Sequence, residues 1–325
     1  MREFLNRRQV YLYRILQSEG LPAQNECILC NRPGRWRCKD CLGQPLYCRM
    51  HCREYHQQHI CHRLQCWNGR FFADRDMWEV GVRLFLGHGG KCCPQADPNQ
   101  YSAGEGQMDL CAETDNSEDT SSNLRPNPSQ QDEPQMFPQH PPEVVEEEDE
   151  DDDLFWDDVE DTPRPPLGRH APAKDRHGNQ FILIVDSSGL FRIPAVYCSC
   201  VDVPRDFQLL DLSFFPTSFE NIKTVFTFRC LDDFRLSNLE CKTSAYQYFQ
   251  RLRRLTNPAF PNSVPNRYAE LRRLSRQWRN LKLRKWFGFG HRPESPGTGQ
   301  MALFCAACPQ PDVNLPEDWQ ERYTV

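Results

Sequence analysis

Residues 27–62 read CILCNRPGRWRCKDCLGQPLYCRMHCREYHQQHICH, and the order of cysteines and histidines along this stretch decides how it folds. Too few aliphatic side chains are present for burial alone to hold it together, so the missing stability has to come from metal. Four half-sites follow one another: Cys27-x2-Cys30, Cys38-x2-Cys41, Cys48-x2-His51 and His56-x5-His62. Zinc takes four nitrogen or sulfur ligands in a tetrahedron, and a C-x2-C turn sets two thiolates on one side of an ion with backbone N–H groups free to donate to sulfur. In a cross-brace the first and third half-sites share one ion and the second and fourth share another. Cys27, Cys30, Cys48 and His51 are then expected on one zinc, and Cys38, Cys41, His56 and His62 on the other. Cys52 is an alternative to His51, and His59 or Cys61 to His62. Both sites are closed, with no position left for water, so the zinc is expected to be structural.

Working outward, residues 2–18 carry Phe4, Leu5, Tyr11, Leu12, Ile15 and Leu16 at helical spacing, which predicts a packing helix stopped by Gly20-Leu21-Pro22. A second helix is predicted from Phe71 to Gly87. Residues 1–95 are thus expected to form the helix and double-zinc module, followed at 96–175 by a Pro-rich acidic stretch with little to bury, read as a disordered linker. From Gln180 the pattern changes. Phe181 to Val185, the turn residues Asp186-Ser187-Ser188-Gly189, and Leu190 to Tyr197 predict a β-hairpin; Thr224 to Phe228 predict a third strand; helices are expected at 243–255 and 265–285. Residues 176–325 then form a small α+β domain.

The chain has 325 residues, 17 of them cysteine, and a formal charge of −6. With no signal-peptide pattern, that cysteine usage predicts reduced thiols and an intracellular protein. The most apolar stretch, 181–185, is only strand length, so no membrane span is expected. The net charge averages two opposed blocks, acids between Asp109 and Asp161 and bases between Arg251 and Arg292. In the predicted helix 267–285, Tyr268, Leu271, Leu274, Trp278 and Leu281 make one apolar stripe. Arg272, Arg273, Arg276 and Arg279 lie outside it, where guanidinium groups suit phosphate, so they are the candidate nucleic-acid contacts. Solvation alone would serve those arginines equally well. The acidic run 146–153 with Leu154-Phe155-Trp156 reads as a solvated linker, or as a segment competing with DNA for the basic helix. A further zinc site is expected where Cys198-Ser199-Cys200 ends the hairpin, with Cys305 and Cys308 of the late CxxC pair completing a four-thiolate set. Cys92 and Cys93 are read as packing residues.

The spacing of the first module looks like a B-box, which would imply protein interaction. Longer motifs carry a second resemblance: Trp36-Arg37-Cys38-Lys39-Asp40-Cys41, Leu86-Gly87-His88-Gly89-Gly90, Val196-Tyr197-Cys198-Ser199-Cys200, Leu239-Glu240-Cys241-Lys242-Thr243-Ser244-Ala245, Cys305-Ala306-Ala307-Cys308-Pro309 and Asn314-Leu315-Pro316-Glu317-Asp318-Trp319. Together they resemble the CxC-like cysteine-cluster region that precedes the catalytic core of KDZ (Kyakuja-Dileera-Zisupton) transposases. In that family the third half-site reads Cys with Cys, whereas here its second member is His51. The resemblance implies a nuclear, non-catalytic zinc-binding region of a mobile-element transposase, partnered by DNA and by the catalytic domain or another protein. In relatives the RNase H-like core follows the Asn-Leu-Pro segment, and the chain stops at Val325, so no catalysis is expected of it alone. The rival reading is a B-box-like interaction adaptor without DNA binding. A self-sufficient nuclease would need carboxylates gathered on strands, and only Asp186, Asp232 and Asp233 lie near any.

Overall fold

The strands of the cysteine-rich half are too short to hold one another, and the architecture follows from what they lean on. The computed structural model describes residues 2–96, 172–200, 202–297, 299–301, 315, 316 and 318. The stretch expected to be a disordered linker falls outside the described residues except at its two ends, and Cys305 and Cys308 fall outside them altogether. The first helix, α1 (Arg2–Glu19), forms as its periodicity predicts. Among the described residues it is not packed: Phe4, Leu5, Val10, Tyr11, Leu12, Tyr13, Ile15 and Leu16 are all exposed. These apolar residues recur on several sides of the helix, so no single buried stripe is defined.

After α1 the chain builds an antiparallel sheet from β1 (Trp36–Cys38) and β2 (Leu46–Tyr47), then, past helix α2 (Arg49–His56), from β3 (Leu64–Trp67) and β4 (Phe72–Arg75), in the order β2-β1-β3-β4. Trp36, Leu46, Tyr47, Leu64 and Phe72 are its buried apolar residues. The Arg37 guanidinium lies 3.7 Å over the Phe72 ring, and its Nε donates to Gln65 Oε1 at 2.8 Å. Strands of two to four residues with so small a core are marginal by themselves.

The helix predicted from Phe71 to Gly87 is absent. That stretch holds β4, one 3-10 turn (Met77–Val80) and strand β5 (Leu84–Phe85). A capping box between Asp76 and Glu79 starts the turn, and Gly81, at φ 95°, ends it before a second turn can form. Only glycine adopts such a φ without strain, so the helical spacing of Met77, Val80 and Leu84 is overruled locally.

Strand β5 does not belong to the first sheet. It is the edge of a five-stranded sheet completed by β6 (Phe181–Asp186), β7 (Gly189–Val196), β8 (Phe214–Pro216) and β9 (Thr224–Thr227), in the order β5-β7-β6-β9-β8. The hairpin β6–β7 turns through Ser187 and Ser188, with Asp186 facing Gly189, and β5 runs parallel to β7, Leu84 beside Ala195 and Phe85 beside Val196. The sheet therefore crosses the expected boundary between residues 1–95 and 176–325. Helix α3 (Arg205–Leu210) follows β7. Helices α4 (Phe228–Cys241), α5 (Ala245–Thr256) and α6 (Tyr268–Trp286) cover the sheet, burying Val185, Phe226, Leu231, Phe234, Tyr248, Phe249, Leu252, Leu271, Leu274 and Trp278 in one core. α5 and α6 lie where the periodicity places them; α4 is hidden in the sequence because Thr224 to Phe228 reads as one strand. The change occurs at Thr227, whose hydroxyl caps α4 by accepting from Cys230 N. Asp232 and Asp233 are therefore helical.

Asp186, almost fully buried, ties the hairpin to α4. It accepts from Ser188 N (2.9 Å) and Ser188 Oγ (2.6 Å), from Thr227 Oγ1 (2.7 Å) and from the Arg229 guanidinium. Burial alone would raise this carboxyl, but the bonds from Arg229, Ser188 and Thr227 outweigh it and hold the group below the ordinary range. The resulting stability is complete above an unfolded-state pKa of about 3.9 and is lost as pH falls through the lower folded-state value. Asp186→Ala should destabilise the fold by about 1–3 kcal/mol at neutral pH. In paired denaturant titrations, the gap between parent and variant should narrow only in the acid limb below about pH 4; a gap that is constant down to the acid-unfolding limit would show that the charge contributes nothing.

Candidate metal centres

The first tetrad is assembled by two turns brought together by the β1–β2 pairing. Cys27 and Cys30 lie in a turn in which Cys30 N and Asn31 N donate to Cys27 O. Ile28 N donates to Leu46 O, drawing that turn against the end of β2, where Cys48 and the first turn of α2 begin. The ligand atoms of Cys27, Cys30, Cys48 and His51 all lie within 4.8 Å of one another. Cys27 Sγ is 3.5 Å from His51 Nδ1, Cys48 Sγ 3.4 Å from the same nitrogen, and Cys30 Sγ 3.8 Å from Cys48 Sγ. A tetrahedral zinc with bonds of about 2.0–2.3 Å has edges of about 3.3–3.8 Å, so the spacing fits the ion. Arg32 Nε donates to Cys30 Sγ at 3.4 Å, and this bond leads in lowering the Cys30 thiol to about 6.

The second tetrad interleaves with the first along the chain. Cys38, Cys41, His56 and His62 converge within 4.8 Å, with Cys38 Sγ 3.4 Å from His62 Nδ1 and Cys41 Sγ 3.5 Å from His56 Nε2. The far nitrogen of His56, Nδ1, is 2.8 Å from Cys52 O. A proton on Nδ1 leaves Nε2 as the free lone pair that faces the thiols, the usual arrangement of a metal-binding histidine. Burial lowers His56 to about 4, so it is neutral near pH 7, while burial raises Cys38 to about 12; a bound cation is what would favour its thiolate. Asp40 closes the turn, accepting from Arg63 N at 2.6 Å. Of the alternative ligands, Cys52 is buried with Sγ 3.7 Å from His56 Nδ1, and neither it nor His59 or Cys61 belongs to a tetrad.

A third tetrad is composed differently from the expected one. Cys198 and Cys200 meet His88 and Cys93, again within 4.8 Å. Cys305 and Cys308, expected opposite them, lie outside the described residues. Spacing identifies neither His88 nor Cys93 as a ligand, because they are separated from the CxC pair by more than a hundred residues, as the contacts of His88 with Cys198 and Cys200 illustrate. The signal that could have found them is the Gly87-His88-Gly89-Gly90 turn, whose glycines all have positive φ and present a histidine on an otherwise side-chain-free loop. The thiols in all three tetrads are free.

The four candidate phosphate contacts divide into two kinds. Arg273 donates to Thr217 O and Arg279 to Asn238 Oδ1, so both brace α6 against the fold. Arg272 and Arg276 are exposed on α6. The apolar stripe buries Leu271, Leu274 and Trp278, whereas Leu281 is exposed.

Residues 166–259 match the family model of the CxC2-like cysteine cluster associated with KDZ transposases. That family is described as a cysteine cluster associated with those transposases, and the match covers less than a third of the chain. It contains Cys198 and Cys200 but neither the module at 27–62 nor His88 and Cys93. No curated protein and no solved structure matches the chain.

Local packing makes the first tetrad testable through Gly34. A Cβ there would lie 3.0 Å from Leu46 Cβ, 3.1 Å from Cys27 N and 3.2 Å from Glu26 C, so Gly34→Ala must displace the backbone at Glu26 and Cys27. Thiol labelling followed by mass spectrometry should find Cys27 and Cys30 modified faster in Gly34→Ala than in the parent, with Cys38 unchanged. Equal rates at Cys27 would show that this close approach does not position the turn.

Proposed function

We propose that the chain is a non-catalytic, zinc-binding accessory region of a KDZ-type transposase that engages DNA in the nucleus and assembles with the catalytic domain. The observation that carries the zinc reading is the interleaving of two tetrads, each with tetrahedral edge lengths, around a core too small to fold unaided. Zinc suits these Cys/His sets, because thiolate and imidazole are its preferred structural ligands and all four positions come from protein. Binding free energy in such a module is folding free energy. Metal analysis of the full chain should therefore show one ion lost in Cys38→Ser and a different one lost in Cys27→Ser, and chelation should unfold the module. Retention of both ions in either variant would reject the cross-brace assignment.

The DNA reading is supported by Arg272 and Arg276, which project from the helix whose buried stripe fixes its orientation. No base-reading motif accompanies them, so the contact is to the phosphate backbone, where charge sets affinity and sequence does not. Reversing both charges, Arg272→Glu with Arg276→Glu, should weaken binding to all duplexes alike. It should also flatten the log–log salt dependence by about 2, one counterion for each phosphate that is no longer neutralised. Superimposable salt curves for parent and variant would reject this reading.

One observation favours the adaptor reading instead. The tips of the two cysteine turns expose Ile28, Leu29 and Leu42, the last completely, and apolar side chains presented on rigid loops suit a protein partner.

A further inference from the structure

His88, Cys93, Cys198 and Cys200 lie at the end of two parallel strands, and that topology has a consequence for metal binding. Because β5 and β7 run in the same direction, with Phe85 beside Val196, the residues that leave each strand emerge side by side, about 4.8 Å apart. Leu86 N donates to Val196 O at 2.9 Å and carries the pairing one residue further. His88 then stands over the CxC loop, its Nε2 3.1 Å from Cys198 Sγ and 3.0 Å from Cys200 Sγ, and Cys93 Sγ lies 3.5 Å from Cys200 Sγ.

The loop is held from beneath by a buried amide. Gln208 of α3 accepts from Cys198 N at 3.1 Å and donates to Cys198 O at 2.9 Å and to Val203 O at 3.0 Å. Cys200 N donates to Cys198 Sγ at 3.3 Å, the N–H to sulfur bond that stabilises a bound thiolate. All these features gather donor atoms at one point and fix the backbone that carries them.

We propose that these four residues form a third zinc site, one imidazole and three thiolates, which fastens the stretch before residue 97 to the domain that begins after residue 171. Half of its ligands lie upstream of the segment that matches the CxC2 cluster, so that segment does not complete the site by itself. The ligand set suits a soft tetrahedral cation, whose entry opens the 3.0–3.1 Å spacings among His88 Nε2, Cys198 Sγ and Cys200 Sγ to the edges of about 3.3–3.8 Å that zinc requires, and the three thiols release their protons to solvent as it binds. Gln208 is a positioning residue. The site does not depend on the two tetrads of residues 27–62.

The test is a cobalt(II) titration of the full chain, with metal content measured in parallel on zinc-loaded protein. Cys93→Ser and Cys198→Ser should each lose one ion, the double variant no more than one, and Cys92→Ser and Cys305→Ser none. Combining Cys93→Ser with Cys38→Ser should lose two, which separates this site from the cross-brace. His88→Cys should keep the full count while its thiolate-to-cobalt absorption strengthens, a result that unfolding cannot mimic. Gln208→Ala keeps every ligand and should weaken this one site by about 10–100-fold. Retention of the full count in Cys93→Ser, an unaltered cobalt spectrum in His88→Cys, or loss in Cys305→Ser of the ion that Cys198→Ser loses, would overturn the assignment.

Discussion

The parallel pairing of Leu84 and Phe85 with Ala195 and Val196 is the backbone contact that joins the described halves in one sheet, and the buried ion pair of Arg83 with Asp175 lies beside it. A cysteine-rich module with a sheet of two- to four-residue strands buries little, whereas the five-stranded sheet has three helices packed against it. By lending β5 to that sheet, the module gains a stable edge to fold against. The same pairing delivers His88 to Cys198 and Cys200, and the sheet continues past it to Asp186, where the hairpin is bonded to α4. Ser188 of that turn also donates to Cys61 O, beside the second tetrad. Backbone pairing at one edge and a side-chain hydroxyl at the turn hold the two halves at separate points, which constrains their orientation.

Two kinds of stabilisation are separated along the chain. Residues 181–278 rely on burial, with Phe226, Leu252 and Leu271 among the side chains wholly removed from water, and the one cysteine in that core behaves accordingly: Cys230 is a buried thiol, pushed up by burial and packed against Tyr248. Residues 27–62 rely on convergence of donor atoms. The difference explains why cysteine number alone is a poor guide to metal. What distinguishes a ligand from a packing thiol is a turn that offers N–H groups to sulfur, as at Cys30, Cys38 and Cys198, together with other donor atoms facing it.

The division of the arginines on α6 is equally structural. Helical periodicity separates the buried stripe from the charged sides, but it does not tell a bracing arginine from a free one. Arg273 reaches the loop after β8 and Arg279 reaches α4, so each has a partner in the fold; Arg272 and Arg276 are exposed.

Much of the α+β layout and the convergence of the first two tetrads was legible in the sequence, because both are written in short-range spacing: two residues between cysteines, an unbroken apolar run of strand length at 181–185, and apolar residues three or four apart in α5 and α6. The failures arose where a single residue or a distant partner overrules the local pattern. Gly81 breaks a helical rhythm, Thr227 turns a strand into a helix, and the apolar residues of α1 stay exposed among the described residues. Only the tertiary structure could join His88 and Cys93 to Cys198 and Cys200, since strands hydrogen-bond across any sequence separation and local spacing carries no record of which edge a two-residue strand will choose.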